Sequence, residues 1–181
     1  MFRGSTTFLD WVQDFENAAL PFPDQHLGAV HNGFRDGVLS VIGWINSLVG
    51  DSVVVVGHSL GAGHAALYAG YRVCDGLPVD KIVMFGEPRP GGSKLASILA
   101  ATPIMSYCNF DRNGHDRVTD VPFNIPFVLT YQHPKPLTYV SASPKPNDHW
   151  GIFCWHHAIL YAKAMGSVGP AVDILDAVYN R

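Results

Sequence analysis

Cysteine is scarce in this chain of 181 residues: there are three, at positions 74, 108 and 154. An odd, widely spaced set completes no disulfide framework and matches no zinc-ligand spacing. Free and mostly buried thiols are expected. Charge is scarce as well. Charged residues are 15% and the net charge is −3, which removes the electrostatic footprint that nucleic-acid binding needs. No apolar run reaches the length of a transmembrane helix. No charged-then-apolar leader opens the chain, because Met1-Phe2-Arg3-Gly4-Ser5 enters a polar turn directly. Leaderless synthesis and a cytoplasmic location are therefore the expectation. There is no internal repeat, no low-complexity tract and no linker. What remains is 48% apolar, enough for a single domain over residues 1–181 with a sizeable core.

One stretch organises the rest. Asp51-Ser52-Val53-Val54-Val55-Val56 reads as a buried parallel strand, apolar on both faces. Gly57-His58-Ser59-Leu60-Gly61 follows, and then the small residues Ala62-Gly63-His64-Ala65-Ala66, which suit a helix packed close to a sheet. A G-x-S-x-G pentapeptide between strand and helix is the context of a nucleophile elbow. The turn strains the backbone at Ser59 and pushes its Oγ out at the carboxyl end of the sheet. The helix N-terminus aims free N–H groups and its positive dipole end at the same point.

Elsewhere, Phe8, Trp11, Val12 and Phe15 recur at helical spacing within Thr7 to Ala19, an amphipathic helix. Leu20-Pro21-Phe22-Pro23 ends it. Ala29 to Phe34 reads as a short strand and turn, and Arg35 to Leu48 as one helix. Val79 to Phe85 and Pro103 to Phe110 read as strands. Between them lies a helix from Lys94 to Ala101, for which Ser93 is a candidate cap. Strands alternating with helices predict βαβ units, a parallel sheet and the α/β class. Phe127 to Tyr131 and Leu137 to Val140 predict a terminal antiparallel hairpin. Helices are predicted over Trp155 to Met165 and Ala171 to Tyr179.

A serine nucleophile needs a base, usually His, and an acid that orients it. The order Ser, acid, His is the α/β-hydrolase order. The loop after Phe110 offers Asp111, Asp116 and Asp120. The C-terminal region offers His149, His156 and His157. His58, beside the nucleophile, should point back beneath the elbow. His31, His64 and His133 read as structural or surface residues. The histidines at 115, 149, 156 and 157 form no i, i+4 pair and no H-E-x-x-H, so no metal site is expected.

Five motifs in order carry a family resemblance: Phe2-Arg3-Gly4-Ser5-Thr6 with Asp10-Trp11; Val30-His31-Asn32-Gly33-Phe34; Gly57 to Gly61; Phe85-Gly86-Glu87-Pro88-Arg89-Pro90-Gly91; and His115-Asp116-Arg117-Val118-Thr119-Asp120-Val121-Pro122. The sequence resembles the class 3 lipases, the fungal-type triacylglycerol lipases among the α/β-hydrolases. The resemblance implies a mainly parallel central sheet flanked by helices, shortened on its N-terminal side because the chain opens at the F-R-G-S turn. Thr119 stands where the family has proline, and Ala62-Gly63 reverses the usual Gly-Ala.

Residue by residue, the resemblance makes Ser59 the nucleophile and Asp116 the acid, with oxyanion donors from Ser5 and the Leu60 N–H. His156 ranks first as the base, because Tyr161 follows at the family's spacing. His149 ranks second, since Phe153 follows it as in a family variant, and His157 third. The implied activity is cofactor-free hydrolysis of carboxylic esters, with acylglycerols or similar lipids as substrates. A short-chain esterase, a phospholipase and a non-catalytic binding protein with a vestigial site are the alternatives. The segment bearing Phe8, Trp11, Val12 and Phe15 matches the family's lid, which implies transient contact with a lipid surface.

Overall fold

The computed structural model describes residues 21–124, 130–146, 151–167 and 169–170. The candidate lid residues Phe8, Trp11, Val12 and Phe15, together with Ser5 and His149, lie outside the described residues. The centre is a sheet built on the predicted apolar strands. Here β1 is Pro21–Asp24, β2 Gly28–His31, α1 Asn32–Leu39, α2 Ile42–Leu48, β3 Val53–His58 and α3 Leu60–Cys74. Next come β4 Val79–Phe85, α4 Ser93–Ile98, β5 Ile104–Asp111, β6 Gly114–His115 and a 3₁₀ turn at Arg117–Asp120. The described chain ends with β7 Thr138–Ser141, a 3₁₀ turn at Gly151–His156 and α5 Ala158–Ala164.

Strands β3, β4 and β5 run parallel and side by side, with His58 opposite Phe85 and Phe85 opposite Tyr107. Strand β7 pairs parallel with the far edge of β5, and β6 folds back antiparallel on its end. The carboxyl ends of neighbouring parallel strands therefore meet at one edge, where open α/β sheets place their sites.

Helix α3 fixes the elbow against this sheet. From Gly61 to Arg72 all of its residues except His64 are buried, so it is an interior helix rather than an amphipathic one. Its small residues allow that. A side chain on Gly57 would collide with the Gly61 carbonyl and lie 2.6 Å from Ala62 Cα. One on Gly63 would lie 2.5 Å from the ring of Phe34, which α1 buries beside Val38. At the other end of α3 the buried Arg72 guanidinium donates to the Asp51 carbonyl at 2.7 Å and to Asn46 Oδ1 at 3.2 Å. It thereby ties the loop that feeds β3.

Some expectations fail for identifiable reasons. The helix over 35–48 is two helices. Ser40 Oγ donates back to the Gly37 carbonyl at 2.8 Å, a local alternative that ends α1. Pro21–Asp24 forms a strand with β2. Of the expected terminal hairpin, residues 127–129 lie outside the described residues; Thr138–Ser141 pairs parallel with β5. Ser93 is the first residue of α4, not its cap; Gly92 holds that position without a side-chain bond. The three thiols are free, with Cys108 and Cys154 buried and Cys74 exposed.

Candidate active site

Ser59 stands between β3 and α3 with φ 60° and ψ −134°, the one non-glycine residue of positive φ among those described. Such a conformation costs a residue with a Cβ of order 1–3 kcal/mol and persists only where its surroundings over-determine it. They do here: Ser59 N donates to the Phe85 carbonyl at 3.0 Å, and its own carbonyl accepts from Ala62 N at 2.8 Å. The side chain is buried, and Oγ has no hydrogen-bond partner among the described residues. Leu60 is the first residue of α3, so its N–H has no acceptor within the helix. That donor lies one residue from Oγ, where an oxyanion hole would require it.

Asp116 is fully buried where the chain leaves β6. Its Oδ1 accepts from Val118 N at 2.9 Å, which caps the 3₁₀ turn. Its Oδ2 faces His156 Nδ1 at 2.7 Å and accepts from the Tyr161 hydroxyl. That hydroxyl in turn accepts from Asn109 N at 3.1 Å. Burial pushes the carboxyl upward, but the His156 imidazole and the three hydrogen bonds outweigh it and hold the group below its ordinary value. An ionised Asp116 requires the hydrogen of His156 on Nδ1. Nε2 then carries a lone pair, the form a general base needs.

The other candidates fall away by position. Asp120 is half-exposed in a surface charge cluster, with His115 Nε2 at 3.0 Å and Arg117 at 3.3 Å. Asp111 ends β5 and accepts from Asn113 N in the turn to β6. His157 occupies the position before α5, one residue past the ring that meets Asp116. His31 caps α1 through its ring and is structural, as its pattern implied. Among the described residues no group of three His, Cys, Asp or Glu could hold a metal ion.

Several supporting residues were not singled out by sequence reasoning. Gly86, with φ 56°, leaves the space in which the pair meets. A Cβ there would lie 2.6 Å from both Asp116 Oδ2 and His156 Cε1. Arg89 binds the Asp116 loop, donating to the carbonyls of Asp120 at 2.6 Å and Pro122 at 3.2 Å. Both belong to the F-G-E-P-R-P-G stretch, whose glycine and arginine were the available signal. Asn109 Nδ2 donates to the Trp155 carbonyl at 3.1 Å and to that of Ala142 at 3.0 Å, which anchors the turn bearing His156. Glu87 accepts from Ser106 Oγ at 2.7 Å and lies 3.4 Å from His133, whose other nitrogen meets the Thr119 carbonyl at 3.0 Å.

The ring of His58 is stacked on that of His156. Burial, reinforced by the neighbouring His156 charge, lowers its pKa to about 3, against the opposing pull of the His156 carbonyl and Asp116. Between pH of about 6.5 and about 3 the unfolded chain therefore binds a proton that the native chain refuses. Stability must fall as pH falls through that window. Asp116, also depressed, acts in the same direction below its ordinary value. Urea unfolding is expected to show a lower midpoint at pH 4.5 than at pH 7, with a slope of up to about 1.4 kcal/mol per pH unit for one such group. A midpoint unchanged down to pH 4 would contradict a neutral buried His58.

Residues 1–125 match the family model described as lipase, class 3. The chain is 30% identical over 156 residues to secreted mono- and diacylglycerol lipase 1 of Fusarium solani, a match covering 81% of this chain and 45% of that protein. The crystal structure of a mono- and diacylglycerol lipase from Aspergillus oryzae is similar at a TM-score of 0.62 and 26% identity, over 80% of this chain and 54% of that one. A triacylglycerol lipase whose catalytic centre is formed by a serine protease triad is similar at a TM-score of 0.55 and 25% identity, over 77% of this chain and 55% of that one. The chain thus spans about half the length of these relatives or less. The Fusarium relative is a secreted protein, which overturns the expectation of a leaderless cytoplasmic one. The opening residues belong to a family motif, and their polarity carries no information about a leader. The family match runs unbroken through the elbow, the Gly86 turn and Asp116, on an α/β-hydrolase sheet shared with solved lipases, and by it this chain belongs to the class 3 lipase family.

Proposed function

We propose that this chain, as a single domain, is a serine carboxylic-ester hydrolase acting on acylglycerols or similar lipid esters. The observation that carries the reading is the buried Asp116–His156 pair at 2.7 Å, together with a strained serine at a strand-to-helix turn. The substrate class is supported by relatives named as mono- and diacylglycerol lipases. The secreted relative supports action outside the cell.

In this mechanism Ser59 Oγ attacks the ester carbonyl carbon as His156 Nε2 takes its proton. Asp116 holds the imidazole and stabilises the imidazolium. The oxyanion is stabilised by the Leu60 N–H and by donors at Ser5. Collapse breaks the carbon–oxygen bond to the alcohol, which leaves with the proton from His156. Water, deprotonated by the same nitrogen, then cleaves the acyl–Ser59 bond and releases the acid. Among the described residues Ser59 Oγ has no hydrogen-bond partner; triad contacts of this kind tighten in the complex. No cofactor enters any step.

The amphipathic segment carrying Phe8, Trp11, Val12 and Phe15 is proposed as the lid. A lid hides an apolar face in water and docks that face on lipid once open. Hydrolysis of a short-chain ester across its solubility limit tests this together with the lipase reading. A jump in rate at the emulsion, blunted in Trp11→Ala, is expected. Smooth saturation through the limit, with Trp11→Ala merely less stable, would leave a soluble-ester esterase instead.

A further inference from the structure

We infer that His58, the residue before the nucleophile, is a positioning residue that holds the ring of His156 in its working orientation. The inference rests on the proposed roles of Ser59, Asp116 and His156. The hydrogen bond to Asp116 holds the His156 imidazole at Nδ1. The orientation of the ring sets where Nε2 points, the atom that must reach Ser59. His58 braces the face of that ring. Its ring lies parallel to that of His156, with centroids 4.7 Å apart and planes 22° apart. Its Nε2 is 3.0 Å from the His156 carbonyl oxygen. A carbonyl only accepts, so this nitrogen carries the hydrogen, and the tautomer of His58 is fixed.

The arrangement closes on itself. His58 stacks on His156, His156 binds Asp116, Asp116 accepts from Tyr161, and the Tyr161 ring stands edge-on to His58 at 5.9 Å. Because His58 is covalently next to Ser59, base and nucleophile share one anchor. Charge requires the same placement. The groups facing His58 are His156 and His157 from the Gly151–His156 turn and its exit, Asp116 from the loop after β6, and Tyr161 from α5. His156 gains a proton in each half-reaction, so a second cation stacked on it would oppose catalysis. The desolvated site keeps His58 neutral through that step.

Three variants test this, each normalised to active sites titrated with a fluorophosphonate. His58→Leu removes both the donor and the flat ring, and is expected to lower kcat by about 10- to 100-fold with KM unchanged. His58→Gln keeps a donor at similar reach and is expected to recover at least a third of the lost orders of magnitude. In an Asp116→Asn background, where the ring is already misheld, His58→Leu is expected to cost less than threefold more. Such non-additivity marks residues acting through one group. Wild-type kcat in His58→Leu would overturn the inference. So would a loss that multiplies fully with Asp116→Asn, or one that Gln does not relieve, since either would reduce His58 to a packing residue. Full activity in Ser59→Ala would sink the triad reading itself, a separate failure.

Discussion

Replacing Ser59 by alanine is expected to lower kcat on esters by on the order of 10⁶ while the fold survives. Alanine keeps the Cβ, so the strained backbone at φ 60° is no worse off. The hydroxyl it removes is buried without a partner among the described residues, and such a group costs stability rather than adding it. Ser59→Ala should therefore unfold in urea at or above the wild-type midpoint. Ser59→Gly should be more stable still, by about 1–3 kcal/mol, because glycine alone occupies this region freely. An inactive enzyme more stable than its parent is the expected signature of a residue kept for chemistry at the expense of the fold. Turnover near the wild-type level in a homogeneous preparation would remove Ser59 from the reaction. Unfolding of Ser59→Ala would make its hydroxyl structural.

The elbow was legible because everything it needs is local. Val53 to Val56, the glycines and the small residues of α3 follow one another within about twenty positions, and each has a steric reason to be there. Asp116 and His156 were legible only through motifs and spacing. Local pattern alone left three carboxylates and three histidines open, and only the folded chain brings positions 116 and 156 within 2.7 Å. The remaining features have separate causes. Leu137 to Val140 has the composition of a strand, and β5, with which it pairs, lies some thirty residues away. The break at Ser40 turns on one hydroxyl and a carbonyl three residues back, beneath the resolution of an apolar stripe. Gly86 stood in the sequence only as a member of a motif; that its missing side chain makes room for two others cannot be seen in a one-dimensional pattern. Arg89, likewise, is explained by the carbonyls of Asp120 and Pro122, not by its neighbours in sequence.

Asp116→Asn is expected to lower kcat by roughly 10⁴, with Asp120→Asn within a few-fold of wild type. The asparagine fits the same volume and can still accept from Val118 N through its carbonyl oxygen. The atom facing His156 Nδ1 then becomes an amide donor, as does its bond toward Tyr161. Nδ1 must accept, the hydrogen moves to Nε2, and the base no longer has a lone pair for Ser59. Tyr161 suffers too. Its hydroxyl already accepts from Asn109 N, and it would lose the carboxylate that takes its own hydrogen. Asp120 has no such hold on the base, since its oxygens meet His115, Arg117 and Arg89 at the surface. The measurement is kcat on a soluble short-chain ester at pH 8, with Ser59 labelling by a fluorophosphonate as a second readout. Labelling should slow in parallel with kcat, because it uses the same base. A larger loss in Asp120→Asn than in Asp116→Asn would shift the motif register by four residues. It would hand the acid's role to the exposed cluster, where screening by solvent and salt would make activity fall steeply with ionic strength.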